Sequence, residues 1–230
     1  MTASSVSFTL NEDVTGTQTA NLSVSGSCAT GPECHVTLNA SGEGSTLGTT
    51  QVLLTSGEAY VEPSGSLASE IPTPWISVPL NSLNTVEPGI PTGTDGLSSA
   101  LNQLVNVGDT VVDNGDVTLN GATYHEYTVT ASAAVEQQQF STLLSALPSS
   151  VSSSLGAVSL AGYGVNVYVD PDGNVGEVAL KASLSKGQDS ETLSTTLTLS
   201  GYGDPVTVVA PAASEVTPLS SVIKSPFASF

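Results

Sequence analysis

The sequence predicts an α+β fold: a strongly bent antiparallel sheet with two helices laid over one face. Three observations predict it. Apolar and polar residues alternate from Tyr163 to Val209, the same alternation runs from Ser5 to Val61 and from Thr110 to Ala131, and two helix-period stripes flank the second of those stretches.

The Tyr163–Val209 stretch is the pattern the rest is organised around. Side chains at every second position share a face. Val165, Val167 and Val169 therefore stand together, as do Val178, Leu180, Ala182 and Leu184, and then Leu193, Leu197 and Leu199. D-P-D-G supplies a turn, G-Y-G-D-P a break, and Val206–Val209 a final short run. An antiparallel meander with one aliphatic face must lay that face on core or ligand.

Residues 5 to 61 read as four strands: Val6, Phe8 and Leu10; Leu22 and Val24; Val36 and Leu38; then Val52–Leu54 continuing past Gly57 to Tyr60. Ser, Thr and Asn fill the opposite, wet face. Residues 62 to 96 hold Pro63, Pro72, Pro74, Pro79, Pro88 and Pro91, six of the 13 prolines, and the single tryptophan, Trp75. Such a segment reads as a loop or lid, because proline removes a ladder donor and stops helices.

Leu97, Ala100, Leu101, Leu104 and Val105 form the stripe of a first helix, with Asp95 as N-cap and Gly108 past its end. In the following hairpin, D-N-G-D (Asp113–Asp116) reads as a turn and Asn120-Gly121 as the tip. A two-residue loop pairs Leu119 with Ala122 and separates Val117 from His125. A three-residue loop pairs Leu119 with Thr123 and gathers Val117, Leu119, His125, Tyr127 and Val129 on one face, so this register is the one expected. A second helix is expected from Ala133 to Leu147, burying Val135, Phe140, Leu143, Leu144 and Leu147 before Pro148, with a further short turn at Val151 and Leu155. One domain is expected over 1–216, followed by a tail over 217–230 that carries Phe227 and Phe230.

Composition narrows the function. Three Lys/Arg against 21 Asp/Glu give a formal net charge of -18. Nucleic acid is excluded as a partner, because binding phosphates needs basic groups to displace counterions. Docking on an anionic membrane surface is disfavoured for the same reason. Aromatics are 5% of the chain, so its interior is aliphatic. No run of about 18 apolar residues is present to span a membrane. Met1 reads as a start placed after a removed export signal. Cys28 and Cys34, in C-A-T-G-P-E-C, suit a loop-closing disulfide at a hairpin tip and hence an oxidising compartment. Zinc is the competing reading, with His35 as the single nearby imidazole.

Catalytic constellations do not assemble in the sequence. His35 and His125 are the two histidines, and G-x-S-x-G, H-E-x-x-H and P-loop patterns are absent. The run from Asp170 to Asn174 departs from a calcium loop at Val175 and Lys181 and reads as a hairpin turn. Glu12, Asp13, Asp113, Asp116 and Glu126 could pair for glycoside hydrolysis, but a single Trp is a poor set of sugar platforms. Asn21 and Asn39 lie in N-x-S sequons. The chain therefore reads as a non-enzyme without cofactor or metal.

The order of motifs resembles the actinobacterial lipoprotein family typified by mycobacterial LppX and LprG, whose fold is similar to the LolA/LolB lipoprotein carriers. The resemblance runs over about residues 5 to 216. It is carried by E-A-Y-V and P-W-I (Glu58–Val61, Pro74–Ile76), G-L-S-S-A-L-N-Q-L (Gly96–Leu104), V-T-L-N-G-A-T-Y-H-E-Y-T-V-T (Val117–Thr130), V-N-V-Y-V-D-P-D-G (Val165–Gly173) and L-S-G-Y-G-D-P-V-T-V-V-A-P (Leu199–Pro211). It implies a half-barrel whose helices cover the concave face, and an apolar cavity for an acylated lipid or glycolipid in the cell envelope. Envelope transport proteins are implied as partners, and a lipid anchor on the full-length precursor as the tie to the membrane. Candidate cavity-lining residues are Leu97, Leu101, Leu104 and Val105 on the first helix, Phe140, Leu143, Leu144 and Leu147 on the second, Val167, Leu180 and Leu197 on the meander, and Trp75 in the proline-rich segment.

Overall fold

Period-two alternation sets the architecture. A computed structural model describes residues 4–16, 19–42, 45–80, 110–130, 159–186 and 189–222, which build one large, curved, open sheet of twelve strands. In chain order these are β1 (Ser5–Thr15), β2 (Ala20–Ala29), β3 (Cys34–Gly42), β4 (Ser45–Leu54), β5 (Glu58–Glu62), β6 (Trp75–Pro79), β7 (Thr110–Leu119), β8 (Ala122–Thr130), β9 (Ser159–Val169), β10 (Val175–Lys186), β11 (Asp189–Ser200) and β12 (Val216–Pro218). Across the sheet the order is β12-β6-β5-β4-β3-β2-β1-β11-β10-β9-β8-β7. Neighbours are antiparallel except β12, which lies parallel to β6. Two short helices, α1 (Gly65–Glu70) and α2 (Leu219–Val222), complete the described elements with one 3-10 turn at Ala213–Glu215. Among the described residues no helix is long and apolar enough to cross a membrane.

The sheet is joined at its middle by β1 and β11, paired from Ser7↔Ser200 to Thr15↔Thr192. This pairing welds the N-terminal hairpins to the β9–β11 meander. It also explains why Val206–Val209, expected as a further strand, forms none: both edges of β11 are already taken, by β1 and β10. The run instead passes over the surface without strand pairing, and Val209 is 73% exposed.

The expected fourth strand, running through Gly57 to Tyr60, is two strands. Thr55 N–H donates to the Glu58 carbonyl, and the chain folds back so that Leu54 pairs with Ala59. The proline-rich segment also contributes more than a loop. Its prolines punctuate it: Pro74 stands just before β6 and Pro79 is its last residue, while Ile76–Pro79 pair with β5 and Trp75 pairs with Val216 of β12. The boundary expected between domain and tail falls inside β12, and Thr217 Oγ1 meets Thr73 Oγ1 at 2.6 Å.

The β7–β8 hairpin takes the register opposite to the expected one. Leu119 pairs with Ala122, and Asn120 (φ 53°) and Gly121 (φ 83°) form a two-residue tip with both φ values positive, the turn whose twist matches the strands. Apolar pairing is recovered by an extra residue. The D-N-G-D run is a bulge within β7, its register shifting between Asp113 and Gly115, with Gly115 N–H bonded to Asp113 Oδ1 at 2.9 Å. Val111 thereby reaches Val129, while Val117 and Leu119 lie on the other face beside Tyr124 and Ala122. The helices expected at 95–108 and 133–147, with Val151, Leu155 and Phe227–Phe230, lie outside the described residues.

Candidate functional site

Register shows how the aliphatic face is assembled. One row of cross-strand neighbours runs Tyr127, Val167, Val178, Leu197, Leu10, Val24 and Leu38 over seven adjacent strands, from β8 to β3. A flanking row runs Leu199, Phe8, Gly26, Val36, Val52, Val61 and Ile76 from β11 to β6. Every member points to the same side, because the pleat keeps paired residues on one face.

Burial along this face is uneven. At one end Val165 is 1% exposed, Val129 3% and Val178 4%, with Val167, Val175, Leu180 and Leu197 packed around them. At the other, Cys34, Ala59, Leu54 and Cys28 form a second buried cluster against Phe8, Val36, Val52 and Leu80. Between them Leu10, Leu22, Val24 and Leu38 are only half-buried. The disulfide Cys28–Cys34 crosses the β2–β3 pair inside the second cluster and replaces the zinc reading.

Of the expected cavity residues, Val167, Leu180 and Leu197 come together on this face. Trp75 does not join them. It shares its parity with Ser77, which pairs with Tyr60, and that row lies on the opposite side from Ile76 and Val61. Being the one large aromatic of a proline-rich stretch suggested a cavity rim, whereas strand parity decides the face. Leu97, Leu101, Leu104, Val105, Phe140, Leu143, Leu144 and Leu147 lie outside the described residues.

The other face is a hydroxyl and amide surface. Ser7 meets Ser27 at 2.9 Å, Ser23 donates to Asn11 at 2.8 Å, Thr49 to Asn39 at 2.6 Å, and Gln51 links His35 at 3.3 Å to Glu62 at 2.7 Å. Glu126, Tyr168 and Glu177 form a row on it; burial raises both the Tyr168 phenol and the Glu177 carboxyl above their ordinary values.

At the β7–β8 end His125 is bracketed by two carboxylates. Its Nε2 lies 2.7 Å from Asp113 Oδ1 and its Nδ1 2.9 Å from Asp116 Oδ1. Both nitrogens donate only in the imidazolium, and the Asp116 and then the Asp113 hydrogen bond raise His125 above its ordinary 6.5. Asp113 is held below its ordinary value by the Gly115 N–H and then by His125. The three side chains make an ion-paired sheet edge. The carboxylates weighed for glycoside hydrolysis are scattered: Asp13 and Glu126 face the hydroxyl side, Asp113 and Asp116 stand on the aliphatic side at the β7 edge, and Glu12 stands on the aliphatic side at the middle of the sheet. Asp170 closes the hairpin before β10, accepting from the N–H groups of Asp172 and Asn174 at 3.0 and 2.8 Å, as a turn does.

Glu12 is the residue whose place the motif reading missed. Leu10, Glu12 and Val14 share a parity, so the alternation itself puts this carboxylate among the aliphatic side chains.

No family model matches the chain, and no curated protein matches it. Among solved structures it is similar to LprF from Mycobacterium bovis, at 19% identity over 92% of this chain and 90% of that one, with a TM-score of 0.47. It is also similar to the Mycobacterium tuberculosis lipoprotein LppX, at 15% identity over 90% and 91% of the two chains and again a TM-score of 0.47. A putative outer membrane lipoprotein-sorting protein domain from Vibrio parahaemolyticus aligns at 8% identity over 88% and 87%, with a TM-score of 0.25. The structural neighbours thus include LppX, one of the two proteins that typify the family the motif order resembles.

Proposed function

We propose that this protein is a non-enzymatic lipid carrier of a bacterial cell envelope, which holds the acyl chains of a lipid or glycolipid against the aliphatic face of its sheet. The observation that carries the reading is the continuous row from Tyr127 to Leu38, buried at Val178 yet half-buried at Leu10, Val24 and Leu38. Seven strands span six inter-strand spacings, roughly 29 Å at about 4.8 Å each, enough to lay an acyl chain across. Each methylene withdrawn from water contributes about 0.8 kcal/mol and needs no polar chemistry.

In this reading the segments containing 95–108 and 133–147 are helices that cover the face, and Leu97, Leu101, Phe140 and Leu144 supply the opposite wall of a cavity. The disulfide supports an extracytoplasmic setting, since such bonds persist where glutathione does not reduce them. A lipid anchor on the precursor, and hand-over to envelope transport proteins, belong to the same proposal.

Organic extraction and native mass spectrometry of the purified protein test it. Bound lipid in stoichiometric amount is the expected result. A clean protein that also takes up no labelled lipid contradicts the proposal, and would leave an envelope module whose face is filled by its own side chains and which acts through its rim or tail.

A further inference from the structure

The aliphatic face has a carboxylate set inside it. Glu12 is flanked along β1 by Leu10 and Val14, and across the ladders by Leu22 on β2 and Thr195 on β11. Its diagonal neighbours are Val24, Ala20, Leu197 and Leu193, all apolar. The side chain is half-buried and forms no hydrogen bond or ion pair with any described residue. Its nearest polar companion on the face is the Thr195 hydroxyl.

An acidic group in such a ring interrupts an apolar surface and gains no partner among the described residues, where leucine would extend the surface. A carboxylate only accepts hydrogen bonds, and it repels anions. The chain carries a formal net charge of -18 with three basic residues, so no surplus of cations offsets that repulsion.

We infer that Glu12, with Thr195, is the polar pole of the lipid-binding face and selects ligands whose head group presents hydroxyl donors and no negative charge. The inference rests on the carrier reading above and names its specificity. Acyl chains lie along the Leu197–Leu10–Val24 row; sugar or glycerol hydroxyls donate to the Glu12 carboxylate, with Thr195 able to donate or accept beside it. An anionic phosphate head group at the same place meets the like charge of the Glu12 carboxylate, which disfavours it.

The test uses the full chain and two fluorescent lipids with identical acyl chains, an uncharged monoglycosyl diacylglycerol and phosphatidylglycerol, titrated into wild type, Glu12→Gln and Glu12→Leu. Wild type should prefer the glycosyl lipid by about tenfold or more, the usual worth of a charge-assisted hydrogen bond. Glu12→Gln, which keeps an acceptor and loses the charge, should bind phosphatidylglycerol several-fold better. Glu12→Leu should bind both lipids with nearly equal affinity. Uptake of both lipids at a ratio unchanged by either substitution overturns the assignment of Glu12 and leaves the carrier reading standing. Uptake of neither lipid by wild type overturns both.

Discussion

Replacing Gly26 by alanine probes the register at the sheet centre. Gly26 lies between Phe8 and Val36 in the aliphatic row, and a Cβ there would run into the His35 carbonyl oxygen and stand 3.1 Å from two ring carbons of Phe8. A ring can swing aside, but a carbonyl held in the β2–β3 ladder moves only with its strand. Overpacking of this kind costs typically 1–3 kcal/mol, and the intrinsic gain of alanine over glycine in a strand returns roughly 0.5–1 kcal/mol of it. A net loss of about 1–2 kcal/mol is expected, read as a lower urea midpoint with unchanged slope. The partner experiment separates the two contacts: Phe8→Leu should not rescue Gly26→Ala, because the obstruction is backbone. At Gly176 the atoms in the way are those of the Tyr124 ring, with Cζ at 3.0 Å, so Tyr124→Leu should rescue Gly176→Ala. A Gly26→Ala protein as stable as wild type, or one rescued by Phe8→Leu, would refute the register.

Other predictions follow from the same geometry. Replacing Cys28 and Cys34 by serine should cost roughly 2 kcal/mol, since the bond closes a short ring in the unfolded chain, and the loss should appear equally on reduction of wild type. His125 should titrate above 6.5 by NMR, and Asp116→Asn or Asp113→Asn should lower its midpoint. Its stabilising contribution is complete below 6.5 and disappears as pH rises through the raised value, so a net loss confined to pH below 6.5 would contradict the ion pair. Tyr202 donates to the Val175 carbonyl at 2.6 Å and is pushed by burial up to about 12. Spectrophotometric titration should show Tyr202 titrating later than Tyr168, whose phenol burial also raises, and Tyr202→Phe should remove that latest component at a cost of about 1 kcal/mol.

What the sequence revealed depended on whether strand period alone settled the question. The meander face at Val167, Leu180 and Leu197 was legible because nothing interrupts the alternation there, and the same rule places Glu12, once parity is followed through a charged residue. The β7–β8 register was not legible, because one extra residue at the Asp113–Gly115 bulge changes which apolar side chains meet. Pattern matching favoured gathering all of them on one face; the tip at Asn120-Gly121 and the bulge together do otherwise. The turn at Thr55–Gly57 is too short to break an apolar run visibly. β6 was hidden by its prolines, which weigh against a strand by composition yet stand at its borders. Trp75 was assigned by residue type, and its face is fixed by the pairing of β6 with β5 and with β12, the latter far away in sequence.

The most direct test of the account asks which face of the sheet an acyl chain touches. In a Trp75→Phe background, a single tryptophan is placed at Leu197 on the aliphatic face or at Thr196 on the hydroxyl face, and lipid with brominated acyl chains is added. Strong quenching at position 197 with little at 196 is the predicted result. Equal quenching at both positions, or none at 197 while lipid is bound, would contradict the assignment of this face as the lipid site.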